Sequence, residues 1–172
     1  MDFKIQHHYN CSVEALMTCF FDEKYIAKKF TELGNENVDV SFCDRGPSKG
    51  KISFSYDAQP SDNIPPALKS FAGGSTPLAQ TELWKNQGEQ WTCEYTVALD
   101  GVPVELSGHM SVKATDNGCV NEVSLNIACP IPILGKMIEE FIEQDSGGQM
   151  EAEYQHIKAC LLYTSPSPRD GL

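Results

Sequence analysis

Residues 91–128 read WTCEYTVALDGVPVELSGHMSVKATDNGCVNEVSLNIA, and the fold follows from them. Apolar and polar residues alternate through 91–99, 102–113 and 119–127, with Asp100 and Gly101, then Asn117 and Gly118, in between. Alternation with a period of two marks a half-buried strand. Asp-Gly and Asn-Gly favour tight hairpins, whose central residues need φ > 0. The stretch therefore predicts a three-strand antiparallel meander. Just upstream, 78–85 alternates in the same way. Before it, Val38, Val40 and Phe42 alternate, DRGPSKG (44–50) makes a turn, and Ile52, Phe54 and Tyr56 alternate again. Between these two regions IPPALKSFAGG (64–74) reads as a short helix, opened by Pro65 and Pro66 and stopped by Gly73 and Gly74.

At the start of the chain, Phe3, Ile5, His7 and Tyr9 share one face of a first strand. Ser12 can cap a helix carrying Val13, Leu16, Met17 and Phe20. Asp22 can cap a second, with Tyr25, Ile26, Phe30 and Leu33, that ends at Gly34. After CPIPILG (129–135) a long helical pattern runs from about Leu134 to Ala159. Two short helices, six consecutive antiparallel strands and one long helix predict an α+β fold: a curved sheet of about seven strands wrapped around the C-terminal helix. The first strand rejoins the far edge. A strongly curved sheet and a helix cannot touch everywhere, so a cavity between them is expected.

The chain has 172 residues, enough for one domain burying about 70% of its unfolded surface. Thirteen Lys+Arg against 24 Asp+Glu leave a net charge of −11, which repels nucleic acid and anionic membrane surfaces. Lys24, Lys28 and Lys29 form the densest basic group and are expected on a solvated helix face. No apolar run approaches the roughly 20 residues that span a bilayer, and MDFKIQHHYN lacks the order of a signal peptide. The seven cysteines (11, 19, 43, 93, 119, 129 and 160) form no CxxC and no zinc-ligand spacing. Reduced structural thiols, a cytoplasmic location, no metal, no cofactor and a monomer are the expectations.

Several phrases resemble the helix-grip superfamily (SRPBCC), which unites START, polyketide-cyclase and birch-pollen-allergen-like proteins. They are FKIQHHYNCSVEALMTCFFDEKYIAKKFTELG (3–34), TELW (81–84), GVPVELSGHMSV (101–112), GCVNEVSLNIACPIPILGKMIEEFI (118–142) and EAEYQHI (151–157). More narrowly, they resemble the family known as domain of unknown function 2505. The resemblance covers 1–159 as a single domain and implies binding of a hydrophobic small molecule such as a lipid, sterol or polyketide. From Cys160 the composition breaks. Residues 160–170 resemble the in-frame translation of a sequencing adapter, so 160–172 is expected to be a non-native, unstructured tail.

Strand alternation sorts the candidate residues. His109 shares a face with Glu105 and Ser107 and is expected toward solvent. Glu82 shares a face with Trp84. If both point inward, burial raises the carboxyl pKa and makes Glu82 the one credible general acid or base. Otherwise both face out, or Glu82 meets water at a sheet end. His7 and Asn121 are expected as polar groups at the core margin, and adjacent His7 and His8 point opposite ways, which argues against a metal. The expected cavity lining is Tyr56, Trp84, Trp91, Tyr95, Met110, Leu125, Met137, Phe141 and Gly148. Gly148 enters through a stripe of Leu134, Ile138, Phe141, Asp145, Gly148, Ala152 and Ala159 on the long helix, with Met150, Tyr154 and Ile157 on the opposite flank as expected anchors of the helix to the sheet. The alternative at Gly147 and Gly148 is a helix break. Three functions stand in order: a binder of an apolar or amphipathic small molecule, an enzyme of cyclase, aromatase or hydrolase type in the same cavity, and a protein-interaction module with a vestigial cavity.

Overall fold

In a computed structural model, which describes residues 1–72 and 74–164, the meander forms the middle of a single seven-stranded sheet. The strands are β1 (Asp2–Tyr9), β2 (Glu36–Arg45), β3 (Lys49–Ala58), β4 (Thr76–Asn86), β5 (Gln90–Leu99), β6 (Glu105–Thr115) and β7 (Gly118–Ala128). All neighbours are antiparallel, in the order β1-β7-β6-β5-β4-β3-β2, so the first strand does rejoin the sheet beside the last. Helices α1 (Val13–Phe20) and α2 (Glu23–Glu32) follow β1; a 3-10 turn (Pro66–Leu68) and α3 (Lys69–Ala72) precede β4. Helix α4 (Gly135–Thr164) closes the chain. This is the helix-grip architecture.

The local signals act as expected at both early helices. Ser12 Oγ accepts from the Ala15 amide at 3.1 Å, and Asp22 Oδ1 from the Tyr25 amide at 3.0 Å. Each satisfies one of the amides left orphaned at a helix start. Gly34 takes φ +96 beyond the end of α2, a conformation a β-carbon disfavours. The stop expected at Gly73 lies outside the described residues.

Three expectations need correction. Phe42 is half exposed, because a register irregularity between Val40 and Phe42 inserts an extra residue into β2. The bulge shifts the period-2 phase, so Cys43 turns toward the core in its place. Strand β6 starts at Glu105, not at residue 102, because the turn beyond Gly101 takes up three more residues. Helix α4 continues through residues 160–164, past the boundary expected at Ala159; residues 165–172 lie outside the described set.

Helix α4 approaches the sheet most closely at β7 and β1. Over β3–β5 a gap opens, and one residue pair sets its floor. Tyr95 on β5 stands opposite Gly108 on β6, and its hydroxyl reaches past that glycine to donate to the Ser124 carbonyl of β7 at 2.7 Å. A β-carbon at Gly108 would collide with the Tyr95 ring and with the Ser124 oxygen. The missing side chain lets the tyrosine lie along the sheet. Gly147 and Gly148 sit inside a continuous helix without positive φ, so the alternative of a break there falls. Gly148 faces open space.

Gly108→Ala should therefore lift Tyr95 and lower stability by about 1–3 kcal/mol in urea denaturation. An unchanged midpoint would mean that Tyr95 is not wedged there. Gly148→Leu should gain up to about 1 kcal/mol of helix propensity; a loss would show that the exposed position is constrained.

Candidate functional site

The gap holds two adjoining chambers, about 130 and about 200 Å3. The inner chamber lies under α2 and the second half of α4; the outer one runs toward the segment 58–68 and the first half of α4. Tyr56, Gln80, Tyr95, Met150 and Glu153 border both. Phe20 and Phe21 close one end over Trp84, with ring centroids 5.9 and 6.3 Å away. Phe30 of α2 forms a side wall, stacked on Phe54 and Tyr56 at 4.8 Å each. Aromatic and aliphatic surface dominates. Among the described residues, no group of three His, Cys, Asp or Glu could hold a metal ion.

A few polar groups face this apolar space. Trp84 is 1% exposed and Glu82 9%, so the inward placement of both holds and the solvent alternatives for Glu82 fall. The Trp84 indole N–H donates to Glu82 Oε1 at 2.9 Å and Gln80 Nε2 donates to Oε2 at 2.7 Å. Burial pushes the Glu82 carboxyl above the ordinary range; the two hydrogen bonds and the charge of Lys29 pull it part of the way back. Lys29 Nζ pairs with Glu153 Oε1 at 3.1 Å across the chamber. A second link between α2 and α4 runs from the Tyr25 hydroxyl to His156 Nδ1 at 2.8 Å and from His156 Nε2 to Glu32 at 3.2 Å. His7 and Asn121, neighbours across β1 and β7, close the far wall. In the outer chamber burial raises the Asp145 carboxyl, opposed by a hydrogen bond from Ser61.

Of the nine expected lining residues, six line the chambers. Tyr56, Trp84, Tyr95 and Met110 border the inner one, and Tyr56, Tyr95, Leu125 and Phe141 the outer one. Three do not. Trp91 is buried at the closed end, with the Arg45 guanidinium 5.7 Å from its ring. Met137 is 41% exposed and Gly148 looks outward. On α4, Ile138, Ile142 and Ile157 are buried and half-buried Met150 borders both chambers, so Met150 and Ile157 face the sheet as the anchoring flank expected of them. His109 is exposed as expected.

Lys29 departs from its expected place among solvated lysines: its side chain is 12% exposed and borders the inner chamber. Its spacing carried the signal. Lys29 follows Tyr25 by four and Ile26 by three, the offsets of one helix face. Glu153 follows Met150 by three and precedes Ile157 by four, offsets that also share one helix face. Of the inner polar set, strand alternation places His7 and Asn121 at the core margin, and the helical pair Lys29 and Glu153 is the part it does not single out.

Comparison with known proteins supports the architecture. A family model described as "Protein of unknown function (DUF2505)" matches residues 4–161. Comparison with the curated proteins finds no match. Among solved structures, TTHA0849 from Thermus thermophilus superposes with a TM-score of 0.63 at 11% identity, over 96% of this chain and 99% of that one. The di-domain ARO/CYC StfQ of the steffimycin biosynthetic pathway gives 0.62 at 15% identity, over 92% of this chain and 50% of that one. Human STARD10 gives 0.57 at 10% identity, over 91% and 62%. At such identities the likeness concerns the fold alone, and the chemistry must be read from this chain's own residues.

Glu82 offers a direct check. A carboxyl raised by folding holds its proton in the native state above the pH where the unfolded chain releases it. Its contribution to stability is therefore fully present below the ordinary glutamate value of 4.5 and declines as pH rises through the folded value. Relative to wild type, Glu82→Gln should gain stability as pH is raised from 4.5 toward neutrality. Parallel urea midpoints across that range would contradict a raised carboxyl.

Proposed function

The chain belongs to the family described as protein of unknown function (DUF2505), and we propose that it binds an apolar or amphipathic small molecule in the space between α4 and the sheet. The observation that carries this reading is the pair of adjoining chambers bounded mainly by Tyr56, Trp84, Tyr95, Leu125, Phe141 and Met150. Burying apolar ligand surface against such walls supplies the affinity, at about 25 cal/mol per Å2, and the few polar groups supply orientation. No helix among the described residues is long and apolar enough to cross a membrane. The acidic surface serves solubility, and a reduced, cytoplasmic setting suits a chain whose seven cysteines form no CxxC.

One observation favours a second reading. Glu82 is a raised carboxyl beside the inner chamber, the property a general acid needs. Both of its oxygens, however, already accept hydrogen bonds from its own strand. Binding without turnover is the better-supported function.

Native mass spectrometry of the purified protein, followed by extraction and identification of any retained apolar mass, tests the reading directly. Leu125→Trp fills the outer chamber and should weaken uptake of Nile red by at least about tenfold, roughly 1.4 kcal/mol. Gly148→Leu, on open surface, should leave uptake unchanged. Equal uptake by Leu125→Trp and wild type would place the dye elsewhere.

A further inference from the structure

We propose that His7 and Asn121 form a recognition point for a hydroxyl group, so that the ligand is an uncharged apolar molecule carrying one. This rests on the cavity-binding reading above and adds the chemical class of the ligand. The two residues are directly opposed across β1 and β7 and both border the inner chamber. They are 5% and 4% exposed. Among the described residues, His7 Nε2 and Asn121 Oδ1 are buried without a hydrogen-bond partner. Leaving such atoms unpaired is costly, and a side chain kept in that state is poised for an external partner.

Their surroundings fix them in place. The His7 ring stacks on Tyr154 with centroids 4.3 Å apart and planes 7° apart, and the Tyr154 hydroxyl is itself tied to the His8 carbonyl at 2.7 Å. Asn121 Nδ2 rests 3.8 Å from Met110 Sδ, which leaves Oδ1 as the amide's open acceptor. Burial lowers the His7 pKa against the opposing charges of Glu151 and Glu153, so the ring is held toward its neutral form. A neutral imidazole with its proton on Nε2 is a donor beside an acceptor.

A hydroxyl answers both atoms, its oxygen accepting from Nε2–H while its proton goes to Asn121 Oδ1. A carboxylate offers only acceptors and would leave Oδ1 unmatched. It would also enter a chamber whose lining lysine, Lys29, already pairs with Glu153, and which Glu82 borders as well. A plain hydrocarbon leaves both atoms unpaired.

Naphthalene, 2-naphthol and 2-naphthoate share one ring system and separate these cases. Titrated into wild type at neutral pH by fluorescence, 2-naphthol should bind about tenfold or more tighter than either of the others, the discrimination expected of a polar pair. In Asn121→Leu and, independently, His7→Phe, naphthalene affinity should be retained and the 2-naphthol advantage should shrink to about twofold. Binding of naphthalene as tight as that of 2-naphthol in wild type overturns the hydroxyl site and leaves the cavity reading intact. So does a preference that survives in both variants. Failure of all three probes to bind wild type overturns the cavity reading itself and this inference with it.

Discussion

A straight helix cannot follow a strongly curved sheet along its whole length. Here the strain of that mismatch is resolved as space. Helix α4 is seated at β7 and β1, and α2 holds its distal half through the Lys29–Glu153 pair and the Tyr25–His156–Glu32 chain. Between those attachments the two chambers lie between the helix and β3–β5. Interiors normally close to crystal-like density, so a persistent gap needs walls that cannot collapse into it. The aromatic rings supply that stiffness. Phe30 is stacked against Phe54 and Tyr56, and Tyr95 is held flat by Gly108 and by its bond to Ser124.

The same geometry explains why so many polar groups survive in an apolar interior. Glu82 would be costly if bare, but Trp84 and Gln80 lie on its own strand face and reach both oxygens without any rearrangement of the sheet. Lys29 and Glu153 neutralise each other across the chamber while joining two helices. Breaking either partner would leave a half-buried charge, so the pair constrains where α4 can sit as much as it stabilises it. His7 and Asn121 differ from these. They are at least as buried as Glu82, yet among the described residues His7 Nε2 and Asn121 Oδ1 have no hydrogen-bond partner.

Much of this is legible in the residues themselves. The alternation around Trp84 puts Glu82 on the same face as the tryptophan, leaving only the direction of that face to the structure, and the meander turns set the order of the central strands. Period-2 reading fails at Phe42 because a bulge adds a residue, and nothing local in VDVSF marks it. On α4 the error is one of choice. Small residues at 148, 152 and 159 read as the signature of a cavity wall. The helix leaves those small residues half-buried or exposed, while Ile142 and the expected anchors Met150 and Ile157 face the sheet. The space comes from the helix standing off, not from small side chains on it. Lys29 escapes notice because a basic residue among lysines reads as surface, although its offsets from Tyr25 and Ile26 place it on the packed face.

What the interior lacks bears on its use as much as what it holds. Burial pushes the thiols of Cys19 and Cys119 up to about 12 and that of Cys43 up to about 11, and it raises Cys11 and Cys93 as well. A thiol in that range is not a thiolate near neutrality, and the thiolate is the nucleophile. Glu82 has its proton-transfer positions engaged by Trp84 and Gln80, which leaves little for it to offer a substrate. His7 is held toward its neutral form and is stacked rather than hinged, an arrangement that orients a partner better than it exchanges protons. Rigid rings, internally satisfied charges and an unpaired polar couple are the features on which the proposed ligand-binding reading rests.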